Sequence, residues 1–398
     1  MTLTGMHQPT DETAAAELVR QAKAEGIPIR VAGGGTRGGV GRPAQAGVTV
    51  STAKLRGITL YEPSEMVIGA WAGTPLAEIE ATLDAKGQML AFEPADFRLL
   101  YGTNGSPTIG AVAAGNIAGP RRIWAGGCRD SLIGVRFVNG SGELVKSGGR
   151  VMKNVTGLDL VKLQAGAWGT LGLLTEVIFK VVPKPDTVAT LVLAGLDDPR
   201  AIRAMADAIT SPFEITGAAH LPDGVGGEGA RTYLRIEGFP DSIAYRTDAL
   251  GKLLAQYGAL SRLGDAVGAS VWSAIRDAAP LAEPRDQVIW RLSVKPSEAP
   301  AAIAAITACR AARAFYDWGG GLIWLATAAD GDAGASMIRK AAKAARGYAT
   351  LLRAPDTLRA VVPVFEPEAP AVAALTKRIK ASVDPAGLFN PGLMHAGV

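Results

Sequence analysis

The sequence predicts an α+β protein with a glycine-rich first half and a second half in which strands and helices alternate. The chain has 398 residues, of which 48% are hydrophobic and 20% charged, as is typical of a globular protein with a full core. Forty-nine residues are glycine, well above the usual share of about 7%. Of these, 29 lie before Pro185. We therefore expect one domain at 1–185, an α+β domain at 186–367 and a C-terminal segment at 368–398.

Local signals place the elements of the first half. A helix is expected at 11–25, because Thr10 or Asp11 can cap its start and Gly26 can end it. The sequence NGSG at 139–142 is typical of a turn between two strands. The predicted strands are 27–32, 48–51, 66–70, 132–138, 143–146 and 177–182, and a second helix is predicted at 75–86.

In the second half, segments with the periodicity of strands alternate with segments with the periodicity of helices, which favours an α+β sandwich. We find no internal repeat in its sequence. Strands are predicted at 232–237, 287–294 and 348–353 and on both sides of 319–321, and helices at 242–256, 297–313, 335–345 and 368–381.

The stretch VAGGGTRGGVG, 31–41, follows a predicted strand and contains six glycines. Gly33, Gly35 and Gly38 satisfy G-x-G-x-x-G, but the glycines and proline at 39–43 oppose the helix that a Rossmann site requires. No acidic residue lies between Glu25 and Glu62 to hold a ribose, and no G-K-[ST] follows. A nest of backbone N–H groups for a phosphate fits better, and a glycine-rich surface turn is the alternative.

Two further glycine-dense stretches follow in the first half. Residues 106–119 read SPTIGAVAAGNIAG, and the segment 152–185 contains the spaced glycines Gly166, Gly169 and Gly172. Three such stretches, well separated in sequence, indicate one extended ligand wrapped by several loops. A dinucleotide has a suitable size.

Composition argues against several functional classes. The net charge is only +4 and the basic residues are scattered, so we do not expect nucleic-acid binding. Cys128 and Cys309 make no metal-binding or disulfide pattern, and the three histidines are isolated, so no metal site is predicted. The N-terminus does not look like a signal peptide. The uncharged window 99–120 has too many glycines and prolines for a membrane helix, so we expect a cytoplasmic protein that reaches a membrane only through partners.

The glycine-rich motifs together resemble a known family of flavoproteins. The GGGT loop, TIGAVAAGNIAGPRR and VMKNVTGLDL…GTLGLLTEV are similar to the FAD-binding domain of the vanillyl-alcohol-oxidase and p-cresol-methylhydroxylase (PCMH) type, and DPAGLFNPG resembles the closing motif of that family. GTPLAEIEATLDAKGQMLAFEP, AGPRRIW, YDWGGGLIWL and the NPGLM ending resemble the E subunits of bacterial glycolate oxidases, from about residue 10 to 395.

The resemblance implies a two-part PCMH-type FAD-binding domain, then a ferredoxin-like α+β cap domain, then a C-terminal segment that returns to the FAD domain. It implies FAD bound non-covalently, because Thr36 stands where covalently flavinylated members carry histidine. The implied cofactor-binding residues are Gly33, Gly34, Gly35, Thr36, Arg37, Thr108, Gly110, Ala114, Asn116, Gly119, Gly169, Gly172 and Leu173.

The resemblance also implies partners and a reaction. The partners are a larger flavin-containing D subunit and an iron–sulfur F subunit at the cytoplasmic membrane, and the reaction is oxidation of glycolate, a 2-hydroxy acid, to glyoxylate. Catalytic relatives carry a metal motif, H-x-G-D-G-N-x-H, that this chain lacks, and Leu158 replaces a family tyrosine. Catalytic residues therefore stay unassigned. A non-redox scaffold subunit and a stand-alone FAD-dependent oxidoreductase are the alternatives.

Several residues of the second half and its border are candidate functional residues. In VIWRLSVK, 288–295, Arg291 alternates with apolar residues and is suited to hold a carboxylate, although a solvated strand face is the alternative. Trp318 and Trp324 could lie near a flavin, in the core or at an interface. Arg121 and Arg122 could contact a phosphate or an acidic residue of a partner, or be simple surface charges.

Overall fold

The computed structural model describes residues 3–149 and 158–397, which form three main sheets and their helices. The strands are β1 (Gly5–His7), β2 (Ile29–Ala32), β3 (Val48–Ser51), β4 (Ile58–Glu62), β5 (Val67–Trp71), β6 (Gln88–Met89), β7 (Leu132–Val138), β8 (Leu144–Gly148), β9 (Leu173–Lys180), β10 (Val182–Pro183), β11 (Thr187–Ala194), β12 (Ile215–Leu221), β13 (Arg231–Gly238), β14 (Ser261–Arg262), β15 (Val288–Ser293), β16 (Ala312–Asp317), β17 (Leu322–Thr327) and β18 (Tyr348–Arg353). The helices are α1 (Glu12–Glu25), α2 (Leu76–Asp84), α3 (Arg98–Tyr101), α4 (Ile109–Ala114), α5 (Arg122–Ala125), α6 (Cys128–Ser131), α7 (Leu160–Gln164), α8 (Asp198–Ile209), α9 (Pro240–Leu253), α10 (Asp265–Arg276), α11 (Ala299–Thr307), α12 (Ala335–Ala344), α13 (Asp356–Val361) and α14 (Pro370–Val383).

The N-terminal part is a parallel three-stranded sheet in the order β1-β3-β2, covered by α1. The predicted caps of α1 are confirmed, since the Asp11 side chain accepts from the Ala14 N–H and Gly26 takes a left-handed conformation. Val19 of the helix, Ile29 of the sheet and Phe389 near the C-terminus share one buried cluster. The C-terminal segment thus completes the core that supports the glycine loop after β2.

A five-stranded antiparallel sheet, in the order β4-β5-β9-β7-β8, forms the second layer of the first half. The predicted hairpin is confirmed as β7 and β8. Strand β9 starts at Leu173, four residues before the predicted start, because Leu173 and Leu174 are already buried in cores. The last glycine stretch therefore runs directly into a central strand.

The second half is built on an eight-stranded antiparallel sheet, here called the cap sheet, in the order β14-β11-β13-β12-β16-β17-β15-β18. Its first four strands with α8 and α9 follow the pattern βαββαβ, and its last four strands with α11 and α12 repeat that pattern. The two units join through β12 and β16, at the pair His220 and Tyr316. The ferredoxin-like prediction is thus met twice, in a repeat that the sequence does not reveal.

One predicted helix was too long. The segment 297–313 contains α11, which ends at Thr307, and then β16, which begins at Ala312. Alanine favours helix on its own, but β16 is paired on both sides, with β12 and β17, and buries Phe315 and Tyr316 completely. Tertiary pairing overrides the local preference here. In the second half, β11, β12, β14, α8, α10 and α13 were not predicted. In the first half, the elements without a prediction are β1, β4, β6, β10 and α3 to α7.

The cap sheet is buried on both faces. Trp290, Leu292 and Ile338 belong to the cluster between the sheet and its helices. On the opposite face Phe315 and Trp324 share a cluster with Phe92, Phe97 and Leu100 of the first half. Residues that alternate with Trp290 and Leu292 along β15 therefore point toward the first half, which is where a site between the two parts would lie.

Candidate functional site

A cavity of about 300 Å³ lies where the three glycine-rich stretches meet. Its lining comes from the loop after β2, from α4, from the turn before β9 and from the C-terminal segment. The lining includes Gly33 to Gly38, which contains Arg37, three further arginines at positions 30, 42 and 359, and one acidic residue, Asp356. Backbone N–H groups and positive charge favour an anionic ligand in this cavity.

The loop after β2 is pressed against the second glycine stretch. A Cβ on Gly34 would lie 1.8 Å from the Ser106 carbonyl oxygen, and one on Gly33 would lie 2.4 Å from Thr108 Oγ1. Gly35 has φ +79° and no heavy atom near its Cβ position, so its backbone conformation, rather than crowding, favours glycine. The glycines thus let two loops pack together and turn their backbone toward the cavity.

The second stretch forms the short helix α4 beside the cavity. Gly110 packs against β5, since a Cβ there would lie 2.5 Å from Ala72 Cβ. Ala111 and Ala114 line the cavity. The hydroxyl of Thr108 is buried and makes no hydrogen bond within the described parts of the chain, so a polar group is left over beside the loop after β2.

The C-terminal segment closes the cavity through an asparagine. The Asn390 side chain accepts from the Val31 N–H at 2.9 Å and donates to the Trp168 carbonyl at 2.9 Å. It therefore ties β2 to the third glycine stretch. Asn390 and Trp168 both line the cavity, and neither was singled out from the sequence, although Asn390 belongs to the closing motif and could have been found there.

The structure brings most of the predicted cofactor-binding residues to this cavity. Those that line it are Gly33, Gly34, Gly35, Thr36, Arg37, Gly110, Ala114, Gly169 and Gly172. Four others are not part of the lining: Thr108, which lies next to Gly33, and Asn116, Gly119 and Leu173. Asn116 accepts the Arg129 N–H at 2.9 Å, and Leu173 is fully buried in the core beneath the first sheet. Their placement gives them supporting roles for the loops.

Arg37 carries a buried guanidinium that the protein leaves largely unsatisfied. Its Nη2 donates to the Ala95 carbonyl at 3.0 Å, but its Nε and Nη1 have no partner among the described residues. The guanidinium also lies 5.7 Å from the centre of the Phe97 ring. Burial lowers the pKa of Arg37, although a guanidinium stays charged in proteins. An unpaired buried charge is costly, which indicates a site for an electron-rich group.

A buried ionic network joins the two halves close to the second glycine stretch. Glu93 and Arg235 form a bidentate pair, and Arg235 Nε lies 3.2 Å from Glu237. Arg121 pairs with Glu237 and is only 6% exposed. The alternatives for Arg121 did not include this arrangement, a buried pair with an acidic residue of the same chain.

Arg291 points toward the first half, on the same sheet face as Trp324. Its guanidinium lies 5.0 Å from the centre of the Trp318 ring, and that of Arg122 lies 4.8 Å from the same ring. Burial lowers the pKa of Arg291, and nearby Arg122 adds to the effect. Burial raises the pKa of Asp317, the residue next to Trp318, to about 7. The charged groups at the junction between the halves therefore do not fully neutralise one another.

Other candidate groups have structural surroundings. His220 is fully buried on the helix side of the cap sheet, with Nδ1 2.9 Å from Thr232 Oγ1. Burial raises the pKa of the Cys128 thiol, which keeps it unreactive. The described residues contain no group of three or more histidine, cysteine, aspartate or glutamate side chains that could hold a metal ion. The same residues contain no helix that is both long enough and apolar enough to span a bilayer.

Comparison with known proteins now identifies the family. Residues 4–148 match the family described as FAD binding domain. The Escherichia coli glycolate oxidase subunit GlcE is 33% identical over 380 residues, which are 96% of this chain and 96% of that protein. The chain belongs to the GlcE family of glycolate oxidase subunits. The Bacillus subtilis glycolate oxidase subunit GlcD is 29% identical over 46% of this chain and 38% of its own length.

Solved structures confirm the predicted fold class of this GlcE-family chain. Substrate-bound p-cresol methylhydroxylase has a TM-score of 0.72 at 13% identity, covering 98% of this chain and 88% of that chain.

The cavity fits FAD by its own features. Three glycine-rich turns meet there, and Nε and Nη1 of Arg37 and the Thr108 hydroxyl are buried without a hydrogen-bond partner among the described residues. The boundaries at 185 and 367 stay predictions.

Proposed function

We propose that this chain is the FAD-binding subunit of a glycolate-oxidising complex. Two observations support the proposal: the end-to-end similarity to GlcE, and a cavity that three glycine-rich stretches and the C-terminal segment form together. Bound FAD would accept the two electrons released when glycolate becomes glyoxylate. The larger D subunit and the iron–sulfur F subunit are its proposed partners, and they would hold it at the inner face of the cytoplasmic membrane.

The proposed contacts with FAD follow the lining of the cavity. The N–H groups of Gly33 to Thr36 would hold the diphosphate, assisted by the nearby arginines. Arg37 would place its unpartnered N–H groups against an electron-rich edge of the cofactor. Gly169 and Gly172 would leave room for its adenosine end. Each of these residues borders the cavity.

Binding is proposed to be non-covalent. Thr36 is 4% exposed at the cavity wall. The described residues that line the cavity include no histidine, cysteine or tyrosine, and these are the side chains that could attach a flavin. Acid precipitation should therefore release the yellow colour completely into the supernatant.

Arg291 is the proposed contact for the substrate carboxylate. It projects from β15 toward the first half, where the second glycine stretch ends. Its planar guanidinium suits two-point binding of a carboxylate. Because the chain lacks the histidine motif of its catalytic relatives, we do not expect it to oxidise glycolate alone.

The test is a visible spectrum of the purified chain, alone and with the D subunit, before and after anaerobic addition of glycolate. We expect one acid-releasable FAD per chain, and bleaching by glycolate only when the D subunit is present. Colourless chain that still assembles would show a scaffold instead. Bleaching of the isolated chain would show a stand-alone oxidoreductase, and either result overturns the proposal.

A further inference from the structure

Two arginines from distant parts of the chain flank one tryptophan at the junction of the halves. Arg122 comes from α5, directly after the second glycine stretch, and Arg291 comes from the cap sheet. Both guanidinium groups lie within 5.0 Å of the centre of the Trp318 ring. Cation–π contact stabilises such an arrangement by only about 0.5–2 kcal/mol per pair, so it does not by itself explain why two like charges converge.

The two guanidinium groups lack an ion-pair partner among the described residues. Within the residues that the structure describes, the side chains of Arg122 and Arg291 make no hydrogen bond and no ion pair, and both are partly buried. Their neighbours differ, because Arg121 pairs with Glu237 and Arg235 pairs with Glu93. Partly buried charges that remain unpaired are costly, so this pair is suited to an anion that the protein does not supply.

The charged groups around Trp318 have a net positive charge that one negative group would neutralise. Arg121, Arg235, Glu93 and Glu237 neutralise one another. Asp317 is the acidic residue adjoining Trp318, and its Oδ1 accepts the Trp318 backbone N–H at 2.7 Å. Even an ionised Asp317 would compensate only one of the two arginines. A ligand with one carboxylate would restore neutrality.

The tryptophan that both arginines contact is held in place. The Trp318 indole N–H donates to the Gly119 carbonyl at 3.0 Å. Gly119 is itself fixed, because its N–H donates to the Phe92 carbonyl at 2.9 Å. The indole is therefore fixed to the main chain at the end of the second glycine stretch.

We propose that Arg122 and Arg291 are the two arms of one binding site for a small monocarboxylate, assembled from both halves of the chain. The proposal rests on the proposed function in one respect, that the carboxylate is that of a 2-hydroxy acid. Arg122 is the new element. A planar guanidinium can bind a carboxylate through two parallel hydrogen bonds. A carboxylate held by both arginines would also link the two halves of the chain.

The test is calorimetric titration of the purified full-length chain with glycolate, and with ethylene glycol as a neutral analogue. Arg122→Gln and Arg291→Gln should each weaken glycolate binding at least about tenfold, the usual effect of losing a charge-assisted hydrogen bond. Arg378→Gln, at an exposed position on α14, is the matched control and should bind glycolate like the wild type. Ethylene glycol should not bind.

Unchanged glycolate affinity in Arg122→Gln, or equal binding of ethylene glycol, would overturn the proposal. Arg122→Lys and Arg291→Lys keep the positive charge but cannot form two parallel hydrogen bonds with a carboxylate. They should therefore also weaken glycolate binding, and they take the place of a glutamine variant that fails to fold. Calorimetry does not require flavin reduction. Arginine-dependent glycolate binding by a chain that contains no FAD would support this site and refute the proposed function. FAD in the chain, together with glycolate binding that does not depend on the two arginines, would support the proposed function and refute this site.

Discussion

Glu93 and Arg235 join the two halves of the chain through a bidentate ion pair, with N–O distances of 2.7 and 2.8 Å. Burial alone would raise the pKa of Glu93, but the charge and hydrogen bonds of Arg235 and the N–H of Arg121 hold it below its usual value. The pair lies beside Gly119, whose Cβ would be 2.5 Å from the Glu93 carbonyl oxygen. The same few residues therefore connect the cap sheet to the second glycine stretch.

Replacing Glu93 by glutamine should destabilise the protein strongly. The change leaves Arg235 with less compensation in a buried site, and breaking a buried pair costs about 3–5 kcal/mol. Urea unfolding at neutral pH should show this loss. Because the folded-state pKa of Glu93 is lowered, its contribution is present at neutral pH and is lost as the pH falls through the folded-state pKa, so the difference between the proteins should shrink in acid.

Glu298→Gln is the control for Glu93→Gln. Glu298 forms an exposed pair with Lys295 at 3.3 Å, and such pairs contribute at most about 1 kcal/mol. A loss no larger in Glu93→Gln than in Glu298→Gln would show that the Glu93–Arg235 pair does not hold the halves together.

Gly34→Ala should abolish flavin binding with a moderate loss of stability. The new Cβ would lie 1.8 Å from the Ser106 carbonyl oxygen, and backbone cannot move aside as cheaply as a side chain, so the two loops that form the cavity must separate. The measurement is the ratio of FAD to chain after gel filtration, together with the thermal midpoint. Gly251→Ala, on α9 with open space around it, should keep full FAD content. Normal FAD content in Gly34→Ala would contradict the loop packing.

The sequence was informative where local chemistry determines the structure. The caps of α1, the hairpin of β7 and β8, and the strand β18 were all predicted correctly, because turn residues and alternation mark them. The glycine spacing predicted the loops that meet at the cavity. Their mutual contacts, such as Gly34 on Ser106, are long-range and leave no local pattern.

Other features depend on tertiary context that a single sequence does not display. β16 has helix-favouring alanines, yet pairing with β12 and β17 makes it a strand. The repeated βαββαβ unit is a matter of topology rather than of similar residues. Arg121 and Arg122 are neighbours of the same type, but one is paired with Glu237 and the other faces Trp318. Only the packed structure separates their roles.

Arg37→Met should separate cofactor affinity from stability. The guanidinium is buried with Nε and Nη1 unpartnered, so an apolar side chain of similar length should leave the flavin-free chain at least as stable. FAD affinity should fall at least about tenfold, because charge-assisted hydrogen bonds to the cofactor are lost. Fluorescence titration with FAD and thermal unfolding of the flavin-free chain measure the two effects. An unchanged dissociation constant would rule out contact between Arg37 and FAD.

Asp317→Asn should make stability less dependent on pH. Burial raises the pKa of Asp317 to about 7, above the value of about 3.9 in an unfolded chain. Between these values the folded wild type binds a proton that the unfolded chain releases, so wild-type stability falls as the pH rises, by up to about 4 kcal/mol. Asparagine keeps an oxygen to accept the Trp318 N–H but does not ionise. The stability of Asp317→Asn relative to the wild type should therefore increase from pH 5 to pH 8 in urea unfolding. A constant difference across this range would show that Arg235 and Arg291, the cations that act on Asp317, keep it ionised throughout.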